Sequence, residues 1–382
     1  DIWLNEGFAT YSEAIWFENK PGSGGLSALH AHMASRRPGS VNGTVYCFNV
    51  TDPNRIFSSD FSYRKAGWVL HMLRKVVGDA TFYDILAEHR ARHEFSAATT
   101  ADFIDTASDI AGQDLSWFFN PWVYEPGAPT YQYGWQAATI AGQPYVRLRI
   151  RQTQTAPYPL FPMPIEVRIS TSSGPQTFTI FNDAATQHFL LPLNATATGV
   201  TLDPDDWILN EGKTQVAYVD GPPKIISASA EPGEEFAESL APNLLTVTYS
   251  DPVTAGAAAY SLAGPNGPVA LSFEQGVTIL THTVVPAGGV PLEPGVYTLT
   301  ANAAALSAGA VALDGEIADP AAGPLPSGDG LAGGSASWMF TVLGNPCTVD
   351  LNDSGGADVP DIFAYLSLWF AGDSAADIDG IP

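Results

Sequence analysis

The chain has 382 residues, with 40 Asp and Glu against 16 Lys and Arg and a formal net charge of −24. That length exceeds one compact domain and predicts about two to four, and a hydrophobic share of 45% excludes a disordered chain. The acidic balance disfavours nucleic acid as a partner, because phosphate contacts need a basic surface, and the chain lacks the run of about eighteen apolar residues that a membrane span requires.

In chain order, residues 1–124 carry 3.6-residue apolar spacing that predicts helices over about 5–19, 26–36, 63–77, 79–93 and 99–111. Pro21, Pro38-Gly39 and Gly112 punctuate them. On the first helix Thr10 and Glu13 follow Glu6 at four and seven residues, so the three share a face. From the residues alone this is also an ordinary amphipathic helix, with Phe8, Ile15 and Trp16 inward and both carboxylates in water. Tyr63 stands at the start of the third helix, where a half-buried tyrosine is equally ordinary. His89 and His93 have metal-chelating spacing, but Glu88, Arg90, Arg92 and Glu94 around them predict a solvated helix face. His71 sits in an apolar helix as a core residue; His30 and His32 point apart.

The period changes near Pro126. Val146, Leu148 and Ile150 alternate with Arg147, Arg149 and Arg151, the pattern of a half-buried strand. Further strands are predicted around 165–170, 176–181, 187–193 and 199–202, making a small β-sandwich. Pro222-Pro223 opens a third unit, in which Leu245, Val247 and Tyr249 alternate with Thr246, Thr248 and Ser250. Short strands and frequent turns predict an immunoglobulin-like sandwich ending near Val342, with the Ala/Gly-rich stretch 301–337 as a long internal loop. Charge is uneven: residues 216–382 hold 1 Lys+Arg and 19 Asp+Glu. Cys47 and Cys347 fall in different predicted domains, so a disulfide framework is not indicated.

The last segment has an EF-hand layout. Asp350, Asn352, Ser354, Asp358 and Asp361 stand at loop positions 1, 3, 5, 9 and 12, Gly355 permits the sharp turn at position 6, and Gly356 offers its carbonyl at position 7. The predicted ligand is Ca2+. A helix from Ile362 to Phe370 follows, with Ile362, Leu366 and Trp369 on one face.

Two motifs point to a family. Leu4-Asn5-Glu6-Gly7-Phe8-Ala9-Thr10-Tyr11-Ser12-Glu13 resembles the helix that supplies the third zinc ligand in M1 aminopeptidases, which are gluzincins. Tyr63-Arg64-Lys65-Ala66-Gly67 resembles their Tyr-x-Lys-Gly-Ala segment with the Gly-Ala order reversed. The likeness continues through Thr99-Thr100-Ala101-Asp102-Phe103, Gly112 to Phe119, Trp122 and Pro126-Gly127-Ala128-Pro129, and spans about residues 1–210. It implies Zn2+ bound by Glu6, with Thr10 and Glu13 orienting the ligand, and Tyr63 as donor to the oxyanion of the reaction. It also implies that the HExxH helix, with two His ligands and the general base, precedes Asp1, so that this chain is a C-terminal portion without activity by itself. The 350–361 loop, with Asp361 in place of the usual Glu, is similar to a dockerin repeat.

The expected architecture is therefore multidomain α + β: the helical C-terminal half of a gluzincin catalytic domain (1–124), two β-sandwich domains (125–215 and 222–343), and a truncated dockerin-like segment (346–382). The expected function is zinc-dependent hydrolysis of N-terminal peptide bonds by a secreted or cell-surface protein, with a peptide substrate and a cohesin-like or cell-surface partner for the last segment. The competing reading is a non-catalytic surface or adhesion protein on a degenerate peptidase scaffold.

Overall fold

The computed structural model describes residues 1–344 and 359–371. Of the residues expected to bind calcium only Asp361 is among them; Asp350, Asn352, Ser354, Gly356 and Asp358 lie outside the described residues. The chain forms two compact units, Asp1–Pro222 with Asp329–Ala332, and Pro223–Gly328 with Gly333–Pro382.

The first unit begins with helices α1 (Trp3–Glu18), α2 (Leu26–Ser35) and α3 (Pro53–Ile56), followed by a π-helical turn at Ser59–Lys65. Then come α4 (Ala66–Val77), α5 (Asp79–His93), α6 (Thr100–Ala111), α7 (Ser116–Phe119) and a second π-helical turn at Asn120–Tyr124. Trp3, Gly7, Thr10, Tyr11 and Ala14 are the buried residues of α1, a stripe at helical spacing. Of the three residues expected to face inward, Phe8 and Ile15 pack against the core, whereas Trp16 is 57% exposed. α4 is buried from Ala66 through Arg74, the central helix of the group. α6 starts on a capping box, Thr99 with Asp102, and stops at Gly112 in the left-handed conformation.

Seven strands follow: β1 (Thr130–Ile140), β2 (Gln143–Gln152), β3 (Met163–Thr171), β4 (Gln176–Asn182), β5 (Thr186–Pro192), β6 (Ala197–Leu202) and β7 (Gly212–Gln215). They make two sheets, ordered β5-β2-β1-β7 and β4-β3-β6. The alternation in β2 puts Val146, Leu148 and Ile150 inward, and Ile165, Val167 and Ile169 of β3 do the same. These rows share one hydrophobic core with the helices; Trp122 of the second π-turn meets Phe161, ring centroids 4.6 Å apart.

The second unit holds β8 (Ile225–Ala228), β9 (Glu235–Ala237), β10 (Leu245–Tyr249), β11 (Thr254–Ala255), β12 (Tyr260–Gly264), β13 (Gly267–Val269) and β14 (Leu271–Gln275). It continues with β15 (Thr281–Pro286), β16 (Gly295–Ala301), β17 (Leu306–Ala308), β18 (Val311–Ala312) and β19 (Ala336–Leu343). They form sheets β14-β15-β10-β8 and β13-β12-β16-β19-β9 and a small third sheet, β11-β17-β18. β17, β18 and the start of β19 fall in the stretch 301–337 that composition marks as loop. This unit has its own core, with Tyr249, Leu299, Trp338 and Phe340 at its centre. α8 (Val359–Ala371) leaves Ile362, Phe363, Trp369 and Phe370 exposed. Among the described residues no helix is long and apolar enough to cross a membrane.

Candidate active site

The site is set by how closely α1 and α4 approach. A Cβ on Gly7 would lie 2.6 Å from the Cβ of Ala66, and one on Gly67 would lie 2.9 Å from Cγ2 of Thr10. Both glycines are therefore needed for the backbones to come this near. The Ala66-Gly67 order fits the crossing, because Ala66 faces Gly7 while Gly67 faces Thr10. At the far end Arg74, buried in α4, donates to both oxygens of Glu18 at 2.7 and 2.9 Å and to Asp79. α1 is thus held at both ends.

This crossing brings Glu6, in the first turn of α1, against Tyr63, three residues before α4. The Tyr63 hydroxyl is raised above its ordinary pKa by burial and by the hydrogen bond and charge of the Glu6 carboxylate. Thr10 joins through the backbone: its hydroxyl donates to the Glu6 carbonyl at 2.7 Å. Glu13 is directed elsewhere, accepting from Arg36 Nη2 at 2.6 Å and lying 3.2 Å from His32 Nε2. The three carboxylates of α1 therefore differ. Glu18 and Glu13 are each paired with an arginine, whereas among the described residues no cation pairs with Glu6. A half-buried carboxylate without a counter-ion, facing a phenol, is the donor that a divalent cation would use, so Glu6 fits zinc as a single ligand. No group of three metal-ligating side chains among the described residues includes it, so a three-ligand centre needs further donors.

Tyr63 sits in the π-helical turn, whose extra residue shifts the helical phase just before α4. At the end of the same turn, Lys65 is fully buried and donates to Gly43 O at 3.0 Å and Glu125 O at 3.1 Å. Burial, helped by Arg55 and opposed by Glu125, pushes its pKa down to about 7. Residues alone gave no sign that Lys65 is interior; its place beside Tyr63 was the only signal available.

The histidines are packing residues. His89 is half-buried, with its ring 5.1 Å from Phe103, not on a solvated face. His71 is buried and stacks on Trp207 at 4.5 Å, and His30 meets both rings. An open depression of about 600 Å³ lies at the start of α1, lined by Asp1, Leu4, Asn5, His89 and His93; it includes neither Glu6 nor Tyr63.

Comparison with known proteins finds similarity in the helical segment. Residues 1–122 match the Peptidase family M1 domain. Aminopeptidase N of Lactococcus lactis subsp. lactis is 30% identical over 139 residues, which is 34% of this chain and 16% of that protein. Leucyl aminopeptidase of Saccharolobus solfataricus is 29% identical over 135 residues, again 34% of this chain and 17% of the relative. The chain thus spans about a sixth of the length of these relatives. Among solved structures, Legionella pneumophila aminopeptidase A in complex with aspartic acid aligns with a TM-score of 0.46 at 17% identity, covering 57% of this chain and 24% of that one. Both M1-like sequence motifs lie inside the matched 122 residues.

Proposed function

We propose that this chain is part of a zinc aminopeptidase, to which it contributes one metal ligand, Glu6, and an oxyanion donor, Tyr63. The observation that carries the reading is the meeting of these two side chains, within the M1-matching segment, at a helix crossing built on Gly7 and Gly67. Zinc held by Glu6 and two further ligands from the longer protein would supply a Lewis acid and an activated water.

The chain's own residues do the rest by position. The Tyr63 hydroxyl donates to the scissile carbonyl oxygen as negative charge develops there, an interaction that favours the transition state over the bound peptide. A phenol is protonated at neutral pH, as a donor must be. Thr10 secures the turn of α1 that aims Glu6. The strands that follow, the immunoglobulin-like unit, and a Ca2+-binding dockerin-like end at Asp350–Asp361 complete a secreted or cell-surface enzyme in this reading. The end would dock to a cohesin-like or cell-surface partner.

The test is hydrolysis of aminoacyl 4-nitroanilides by the purified full-length protein, with and without a zinc chelator. Chelator-sensitive release is expected, and residues 1–382 by themselves should be inactive. No release from the zinc-loaded full-length protein would replace the enzyme with a non-catalytic scaffold. For the calcium loop, calorimetry on a chain carrying a complete second repeat should show Ca2+-dependent heat that Asp350→Ala and Asp361→Ala remove.

A further inference from the structure

The π-helical turn that carries Tyr63 has an unusual seat. On one side lies the segment 39–47, which follows α2. A Cβ on Gly43 would lie 2.5 Å from the ring of Phe61, so the segment rests directly on the turn. Arg55 donates to Thr44 O at 2.6 Å and Tyr46 O at 2.9 Å, with its guanidinium 5.4 Å from the Phe61 ring. Gly39 N donates to Asp60 Oδ1 at 2.8 Å. On the other side is the end of the second π-turn, at Glu125. Lys65 joins all three pieces, from the last residue of the first π-turn to Gly43 O and Glu125 O.

Two features separate Lys65 from an ordinary cross-link. Among the described residues it makes no ion pair, so its direct partners are two carbonyl oxygens, with the Glu125 charge as a weaker support. Taking such a group out of water without a counter-ion is unfavourable, and its lowered pKa is the sign of that burden. The second feature is what it anchors. Gly7 and Gly67 leave α1 and α4 no slack, so the remaining freedom of Tyr63 relative to Glu6 lies in how the wide turn is seated, and Lys65 fixes that seat.

We propose that Lys65 is a positioning residue for the reaction: by donating to Gly43 O and Glu125 O it holds in place the turn that carries Tyr63. This rests on the aminopeptidase reading above, in which Tyr63 is the oxyanion donor. In this proposal Lys65 acts only through Tyr63.

The experiment is a double-mutant cycle in the zinc-loaded full-length protein, with kcat expressed per bound zinc. Lys65→Met keeps the length of the side chain and removes its donors. With Tyr63 present it should lower kcat by about 10- to 100-fold, since a misplacement on the order of 1 Å costs about that much, while KM stays within about twofold. In the Tyr63→Phe background the same substitution should change kcat by less than about twofold. Lys65→Gln, which keeps a donor, should fall between wild type and Lys65→Met. Equal factors in the two backgrounds would overturn the proposal and leave the enzyme reading intact. Failure of both Lys65 variants to fold would assign Lys65 to the scaffold and overturn it as well. A wild-type protein without activity, or a Tyr63→Phe variant with full kcat, would sink the underlying reading and this proposal together.

Discussion

Each unit buries a lysine, and the two are treated differently. In the second unit Lys224 is buried against the carboxylate of Asp314, whose own pKa burial raises to about 7 even though Lys224 pulls it down. Charge meets charge there, and the pair closes on the core beside β8. In the first unit Lys65 has only carbonyl oxygens, and among the described residues no carboxylate is paired with it. On α1, Glu6 has no cation paired with it among the described residues, just as Lys65 has no paired anion. Balanced burial belongs to a framework. Unbalanced burial on both sides of one tyrosine belongs to a place where a ligand or a reacting group completes the electrostatics.

The sharpest way to break that contrast is at Glu6. In the full-length protein Glu6→Gln should release most of the zinc and lower turnover by about 10³-fold or more, because a Lewis acid contributes several kcal/mol to the barrier. Glu18→Gln, on the same helix, should leave zinc per folded protein unchanged. Metal content measured by mass spectrometry decides between them, and equal zinc in Glu6→Gln and wild type would remove Glu6 from the site.

Next is the framework lysine. Lys224→Met leaves Asp314 without its buried cation and should reduce stability by about 3–5 kcal/mol. It should do so without altering kcat of the protein that remains folded. Urea unfolding alongside activity per folded molecule tests this; a fall in kcat would erase the difference between the units.

Tyr63→Phe should lower kcat by about 10²–10³ with little change in KM, the size of losing one oxyanion donor. A loss confined to KM would make Tyr63 a substrate contact.

Gly7→Ala is a smaller perturbation. Its Cβ would lie 2.6 Å from that of Ala66, so α1 and α4 must separate, at about 1–3 kcal/mol of stability. A denaturation midpoint equal to wild type would show that the crossing has slack.

The last effect is one of pH. The pKa of Lys65 is about 7 when folded, below that of an ordinary lysine. Between those two values the unfolded chain binds more protons, so stability rises with pH, by at most about 1.4 kcal/mol per unit. Measured as wild type minus Lys65→Met, the difference should climb from pH 7 toward 10. A flat difference would mean that the buried amine is as easily charged as in water.

Legibility followed locality. The ten residues Leu4–Glu13 and the segment beginning at Tyr63 could be read in the sequence because helical spacing and a compact motif are local properties. β2 was readable too, since Val146, Leu148 and Ile150 alternate with three arginines. β1 carries the same alternation, Tyr131, Tyr133 and Trp135 against Gln132, Gly134 and Gln136, yet was not among the predicted strands, and its burial does not keep a two-residue period. His89 read as solvated because its neighbours in sequence are charged, yet Phe103 of α6 covers it.

By itself the sequence determined that Glu6, Thr10 and Glu13 lie along one helix and that Tyr63 precedes another. Only the tertiary structure decided which of those side chains meet. Glu13 and Glu18 find arginines from α2 and α4, Glu6 finds Tyr63, and Lys65 turns inward onto carbonyls far from it in sequence. Side-chain spacing is set by the backbone repeat of one element, whereas the pairing of charges depends on which second element arrives. Here that arrival is controlled by two glycines that let α1 and α4 nearly touch.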